Sequence, residues 1–175
     1  MSIQRVLGYF FIFTLVSCSS KKELPTVANV DIDKYLGKWY EIARKPVYFE
    51  KDLDCVTANY SFKKNGEIEV FNRGVKIKSD EKVKTAKGTA WVPNKLKTGE
   101  LKVSFFWPFT GDYFIVALDK TYQYSLVGDQ SRKYLWILSR TKTLEETIYS
   151  SLLQIAKNNG FNIDDLIKTK QTCNN

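Results

Sequence analysis

The absence of histidine limits the chemistry available to this chain. The 175-residue sequence contains 3 Cys and no His. His is the commonest general base, the usual partner of a nucleophilic Ser or Cys, and the commonest zinc ligand. The sequence therefore favours a binding protein over an enzyme. It predicts no catalytic residue, no metal and no cofactor.

Cys18 follows an apolar run. Residues 6–16, after Arg5, are mostly apolar. The run has the length of a secretory signal core and is short of the ~20 residues of a transmembrane helix. It ends in Leu-Val-Ser-Cys at 15–18, which resembles the bacterial lipobox, whose Cys is acylated after cleavage. We expect a signal peptide over 1–17 and a lipid anchor at Cys18. The alternative is an ordinary signal peptide with an incidental Cys.

The residues after Cys18 indicate the membrane to which the protein is sorted. Several acyl chains on one residue anchor a protein stably, because each buried CH₂ contributes ~0.8 kcal/mol. Ser19, and not Asp, follows the anchor, and by the sorting rule of such lipoproteins this implies the outer membrane, with the protein facing the periplasm. Residues 18–30 are predicted to tether a folded domain that occupies 31–175.

The other two cysteines, Cys55 and Cys173, are predicted to form a disulfide. Two thiols in a secreted chain pair readily in an oxidising compartment. A cross-link that closes a loop of more than a hundred residues contributes ~4–5 kcal/mol in the chain-entropy model. The alternative makes Cys55 a nucleophile, which the absence of His and the oxidising periplasm disfavour.

The formal charge of +8 and the mean hydropathy of -0.31 describe a basic, water-soluble body. A basic chain can attract anionic head groups or nucleic acid. The lysines are scattered along the chain, which is typical of a solvated surface. No recognition helix, RNP-like segment or Gly-rich phosphate loop accompanies them, so no nucleic acid is predicted as a partner.

The body of the chain consists of short runs of strand type separated by turn signals. Asn65-Gly66 is a hairpin signal between two of them. Pro and Gly punctuate most of the others. The runs lie at 39–47, 55–62, 67–72, 83–92, 101–107, 113–118, 122–127 and 134–139. About eight strands at short spacing predict an all-β protein, an eight-stranded up-and-down antiparallel barrel whose closure leaves no free edge.

One amphipathic helix is predicted near the C-terminus. Thr143 and Glu146 have the spacing of a capping box, and Gly160 is a plausible stop after the helix. An apolar stripe at helical spacing predicts packing on the outside of the barrel; its members are Leu144, Ile148, Leu152, Ile155 and Ala156. Residues 166–169 are predicted to form a last short strand.

Two segments carry a family resemblance. Residues 37–44 (Gly-Lys-Trp-Tyr-Glu-Ile-Ala-Arg) resemble the first lipocalin signature, in the form found in bacterial lipocalins and apolipoprotein D. Residues 134–141 (Tyr-Leu-Trp-Ile-Leu-Ser-Arg-Thr) resemble the third signature. The middle signature is degraded at 118–122. With the strand count and the helix, the resemblance covers about 33–173, and Cys55 and Cys173 match a disulfide position of apolipoprotein D.

The resemblance implies a structural role for Gly37, Trp39 and Arg140. Trp39 is expected to plug one end of the barrel, with Arg140 across its indole face in a cation–π contact of roughly 1–2 kcal/mol. These residues hold the barrel shut and do not meet the ligand. An eight-stranded barrel is about wide enough either to be filled by side chains or to hold one small ligand.

Family analogy and the two-residue period of strands together predict the ligand-binding lining. The set is mainly apolar, with Asn and Tyr groups that could orient a polar head; its members are Tyr60, Phe62, Val70, Asn72, Val103, Phe105, Tyr113, Ile115, Trp136 and Leu138. The alternative for each is simple core packing.

We expect a membrane-anchored carrier or store for a fatty acid or lysophospholipid. A lipid-modifying enzyme on the same scaffold and an interaction protein with a filled barrel are the alternatives. Loops could also form a homodimer interface, which the sequence leaves open.

Overall fold

Eight antiparallel strands close into a barrel. The computed structural model describes residues 22–77 and 82–173, so the predicted signal peptide, Cys18 and Ser19 lie outside the described residues. The strands are β1 Gly37–Arg44, β2 Leu53–Phe62, β3 Ile68–Lys76, β4 Lys82–Trp91, β5 Glu100–Phe106, β6 Phe109–Leu118, β7 Tyr124–Gly128 and β8 Leu135–Ser139. Each pairs with the next, and β1 pairs with both β2 and β8. The predicted barrel is confirmed.

The strand boundaries differ from the predicted ones mainly next to turns. The first strand ends at Arg44, before the 3₁₀ helix Tyr48–Glu50. Tyr122 has a φ of 61° in the turn before β7, which therefore begins at Tyr124. The Asn65-Gly66 hairpin forms as expected, with Gly66 at a φ of 83° and its N–H donating to the Lys63 carbonyl.

The helix α2, Glu146–Asn158, packs on the outside of the barrel. It was expected to start at Thr143 with a capping box, and that expectation is wrong: the N-cap is Glu145, without a side-chain cap bond. The carbonyl of Thr143 instead accepts the Thr141 hydroxyl, which keeps the chain in a turn. At the other end the Gly160 N–H donates to Lys157, as expected for a C′ glycine.

The barrel separates two apolar clusters. One lies inside the barrel and contains Trp39, Tyr60, Val70, Ile115 and Leu138. The other lies between the outer wall and α2; its buried members include Leu126, Ile137, Tyr149, Leu152 and Ala156. The apolar stripe of α2 therefore faces the barrel and packs against its outer wall, as the sequence predicts.

The segments that precede β1 and follow α2 pack against the barrel, as far as the structure describes them (residues 22–36 and 159–173). Residues 22–30, assigned by sequence to the tether, pack on it: Leu24 is 1% exposed and the Val27 N–H donates to the Ile115 carbonyl. A short strand β9, Ile167–Lys168, pairs with β1. Beyond it Cys173 forms a disulfide with Cys55, as predicted.

The two ends of the barrel differ in what covers them. The β2–β3, β4–β5 and β6–β7 turns lie at one end, where the short helix α1, Ile32–Tyr35, precedes β1; we call this the closed end. The β1–β2, β5–β6 and β7–β8 connections lie at the opposite, open end. Among the described residues, no helix is long and apolar enough to cross a membrane.

Candidate functional site

A cavity of about 340 Å³ occupies the upper half of the lumen and reaches the open end. Its apolar wall comes from inward-facing strand residues, because alternate side chains of a strand point into the barrel. Val70 of β3, Val103 of β5 and Leu138 of β8 belong to it. The volume lies within the ~300–1,000 Å³ of small-molecule pockets.

The structure places most of the predicted lining residues on the cavity wall. These are Tyr60, Val70, Asn72, Val103, Phe105, Tyr113, Trp136 and Leu138. Ile115 and Phe62 are not on it. Ile115 is fully buried in the cluster below the cavity, and Phe62, at the closed-end terminus of β2, is 47% exposed.

A chain of tyrosine hydroxyls forms part of the cavity floor. The Tyr113 hydroxyl lies 2.8 Å from the hydroxyls of both Tyr35 and Tyr60. Burial raises the pKa of Tyr35 to about 12, and burial also raises the pKa values of Tyr60 and Tyr113. The three phenols therefore stay neutral and present a polar, uncharged patch below the apolar wall.

The closed end is sealed beneath this floor by Trp39 and Arg140. The guanidinium carbon of Arg140 lies 3.8 Å from the Trp39 ring centroid, and the Trp39 indole N–H donates to the Tyr35 carbonyl at 2.8 Å. The Arg140 guanidinium also donates to backbone carbonyls of Lys34, Tyr35, Leu36, Lys38 and Tyr122. Gly37 begins β1 at a φ of 89°, and a Cβ there would lie 3.4 Å from Arg140.

A buried charged cluster lies on one side of the cavity. Arg44 contacts Glu41 at 2.6 Å and Glu50 at 3.5 Å, and both carboxyl groups belong to residues that line the cavity. The Trp136 indole N–H donates to Glu50 at 3.2 Å, and the Thr169 hydroxyl donates to Glu41. One guanidinium thus faces two carboxyl groups.

Burial, together with this excess of carboxyl groups, shifts the pKa values of Glu41 and Glu50. Desolvation, and then the neighbouring charge of Glu41, raise the pKa of Glu50 from 4.5 to about 8. Desolvation also raises the pKa of Glu41, against the opposing attraction of Arg44. At neutral pH the cluster holds a proton, so its net charge stays close to zero.

Asn72 carries an unpaired polar atom in the cavity. Its Oδ1 is buried and, among the described residues, has no hydrogen-bond partner. A buried acceptor without a partner is costly, which makes this atom a candidate contact for a donor on a ligand.

Several cavity residues were not predicted from the sequence. Glu41 could have been found, since it lies two residues after Trp39 on the same strand and so shares its inward face. Glu50, Phe49 and Tyr134 lie in connections or beside them, where no period applies. Phe106 and Phe109 flank an apolar turn, whose composition is unusual for a loop and is itself a signal.

Comparisons with known proteins agree with this architecture. Residues 30–171 match the lipocalin-like domain family. The chain is 44% identical over 162 residues to the outer membrane lipoprotein Blc of Citrobacter freundii, covering 91% of each chain. It is 35% identical over 155 residues to apolipoprotein D of Bos taurus, covering 84% of this chain and 80% of the relative. The crystal structure of the cockroach allergen Per a 4 superposes with a TM-score of 0.67 at 26% identity, covering 85% and 92% of the two chains.

The closed barrel, the external helix and the end-plugging Trp–Arg pair define a small β-barrel of the ligand-holding type. The chain belongs to the lipocalin family, and its similar relatives include a bacterial outer membrane lipoprotein and apolipoprotein D.

Proposed function

We propose that this protein is an outer-membrane lipoprotein, anchored through acylated Cys18 and facing the periplasm, that holds one single-chain amphiphile in its barrel. A fatty acid or a lysophospholipid is the ligand class. The observation that carries the proposal is the apolar-walled cavity, which is closed at one end of the barrel and open at the other.

The size of the cavity fits one alkyl chain. Its 340 Å³ would hold roughly eleven groups of the size of a water molecule, at about 30 Å³ each. Each buried CH₂ gains ~0.8 kcal/mol, so partition from water alone drives binding. A cavity of this size counts against the alternative of a barrel filled by its own aromatic side chains.

The polar groups favour one orientation of the ligand. The carboxyl groups of Glu41 and Glu50 face the lumen, and the Tyr floor is uncharged at neutral pH. An anionic head deep in the barrel would gain no free cation, since Arg44 is already engaged by both carboxyl groups. The tail therefore enters first, and the head stays at the open end.

Binding without turnover is part of the proposal. Cys55, the thiol considered as a nucleophile, is bonded to Cys173. The chain contains no His to act as a base. Among the described residues, no group of His, Cys, Asp and Glu could hold a metal ion. We therefore infer that the cavity buries a ligand and orients it.

A titration with a fluorescent fatty acid, paired with two matched variants, tests the proposal. Val103→Trp fills the cavity from β5 and is expected to weaken saturable binding at least about tenfold, since it removes the volume for several methylenes. Val83→Trp makes the same change on β4, at a 48% exposed side chain that does not line the cavity.

The expected result is loss of affinity in Val103→Trp alone, with both variants folded by circular dichroism. Equal affinity in the two variants would place the ligand outside the lumen. Native mass spectrometry of the mature protein then identifies any lipid that co-purifies.

A further inference from the structure

Large aromatic side chains are exposed at the open end. Five of them, which we call the aromatic rim, come from the β1–β2 and β5–β6 connections and their borders: Tyr48, Phe49, Phe106, Trp107 and Phe109. Trp107 is 78% exposed and Phe106 is 77% exposed. Soluble monomers rarely expose such a cluster, which marks an interaction surface.

The closed end shows no comparable cluster. Of the exposed large apolar side chains among the described residues, only Phe62 and Leu96 lie on that end. Phe, Tyr and Trp at the rim are the residue types enriched at membrane–water interfaces, where an apolar ring meets a polar layer. The exposed apolar surface is therefore concentrated at the end through which ligand enters.

The chain leaves the barrel beside an open-end loop. The carbonyl of Lys22, the first described residue, accepts a hydrogen bond from Arg132 at 2.6 Å, and the Leu24 N–H donates to the Gln130 side chain at 3.1 Å. Gln130 and Arg132 lie in the β7–β8 connection at the open end.

The position of Lys22 limits the orientation that the barrel can take relative to the membrane. Three residues lie between Cys18 and Lys22, and the four residue steps that join them span at most about 14 Å. Ten-residue strands such as β2 are about 33 Å long. The short tether therefore holds the side of the barrel that carries the β7–β8 connection close to the bilayer that holds the acyl chains.

The docking of this N-terminal segment is built into the fold. A Cβ on Gly99 would lie 2.1 Å from the Val27 carbonyl oxygen, so only glycine allows the segment to pass at that point. The side chain of Glu23 also pairs with Lys97 at 2.8 Å. The segment thus follows a fixed path along the side of the barrel, in contact with both the β4–β5 turn, through Lys97, and the β7–β8 connection, through Gln130 and Arg132.

We propose that the aromatic rim docks on the outer-membrane bilayer itself, so that the cavity opens directly onto lipid. The inference rests on the proposed acylation of Cys18, and it adds an orientation and a second membrane contact to that anchor. A ligand would then move between bilayer and lumen without crossing bulk water.

Tryptophan quenching by brominated lipid tests this orientation in the mature acylated protein. The protein is reconstituted in vesicles of phosphatidylethanolamine and phosphatidylglycerol that contain brominated phosphatidylcholine. Trp107→Phe removes the rim indole, and Trp91→Phe removes a half-buried indole at the closed-end terminus of β4. We expect most of the lipid-quenched emission to disappear in Trp107→Phe and to persist in Trp91→Phe.

Three outcomes would overturn the proposal. Loss of the quenched emission in Trp91→Phe alone would mean that the closed end faces the bilayer. No lipid quenching at either indole would mean that the barrel stands away from the membrane. Protection of Trp107 from both brominated lipid and aqueous acrylamide would mean that a second copy of the chain covers the rim.

Two measurements on the same sample separate this inference from the proposed function. The mass of the N-terminal residue reports whether Cys18 carries acyl groups, and fatty-acid titration reports whether the lumen binds ligand. An acylated, ligand-binding protein with an unquenched Trp107 would refute the orientation alone.

Discussion

At the closed end of the barrel Trp39 is fully buried beneath Arg140, whereas at the open end Trp107 is 78% exposed. The closed end satisfies its aromatic and cationic groups internally, through the ring contact and hydrogen bonds to backbone carbonyls. The open end leaves its rings in solvent. The difference indicates that the first end carries stability and the second is available for contact with other molecules.

The largest effect is expected from a matched pair of Trp substitutions. Trp39→Ala removes a fully buried ring and its contact with Arg140, and should lower the free energy of unfolding by about 3–5 kcal/mol. Trp107→Ala, at the other end, should stay within about 0.5 kcal/mol of the wild type. Urea unfolding of the two variants measures both. Similar losses of unfolding free energy in the two variants would show that the two ends of the barrel do not differ in their contribution to stability.

A smaller loss is expected for Arg140→Lys. The ammonium keeps the charge but cannot reproduce the guanidinium fork, so several of the carbonyls it now serves lose their donor. We expect a loss of about 2–3 kcal/mol in the free energy of unfolding. Arg73→Lys, at a half-buried position on β3, is the control. If the two variants unfold alike, the fork has no special role in closing the barrel.

A pH-dependent effect is expected in the upper half of the lumen. Because the pKa of Glu50 is raised to about 8 in the folded protein, the folded state holds its proton more tightly than the unfolded chain. The contribution of this proton to the free energy of unfolding is complete below about pH 4.5. It is lost as pH rises to about 8, at up to about 1.4 kcal/mol per pH unit.

Glu50→Gln should flatten this decline, because the amide cannot titrate. Glu145→Gln, at an exposed position before α2, should leave the slope unchanged. Unfolding midpoints measured across this pH range give the comparison. An unaltered slope in Glu50→Gln would assign the pH dependence to another group.

The smallest effect is expected at Asn72. Replacing its unpaired Oδ1 by an apolar group, in Asn72→Leu, should raise the free energy of unfolding of the ligand-free protein by about 1 kcal/mol. In Asn94→Leu the lost Oδ1 accepts the Leu96 N–H, so that variant should be destabilised instead. Loss of stability in both would show that the Asn72 amide is paired in solution.

The sequence predicts well which face of a strand a residue occupies. It predicts less well how high the residue lies, that is, its position along the barrel axis. The two-residue period placed Phe62 and Ile115 inward with Tyr60 and Tyr113, yet Phe62 lies at the end of its strand and Ile115 lies below the cavity. Height depends on the tilt and register of the paired strands, which local patterns do not encode.

Irregular pairing accounts for the residues that the period missed. The register of β1 with β8 shifts between Glu41 and Ala43. After this shift Ala43 packs outside, in the cluster under α2, while Arg44 contacts the lumen-lining Glu41 and Glu50. Glu50 reaches the lumen from a 3₁₀ turn, where no strand period applies. A period read along one strand cannot anticipate either feature.

The closure between β1 and β8 has a consequence for secretion. It joins Tyr40 to Ser139, so the first and last barrel strands must meet across most of the chain. Pairing at such sequence separation is slow to form. The barrel therefore cannot be completed until the chain is available at least as far as Ser139, and the unfinished sheet has an open edge during that interval. For a protein exported as proposed above, this interval before the seam closes is the time in which the exposed edge is open to pairing with other chains.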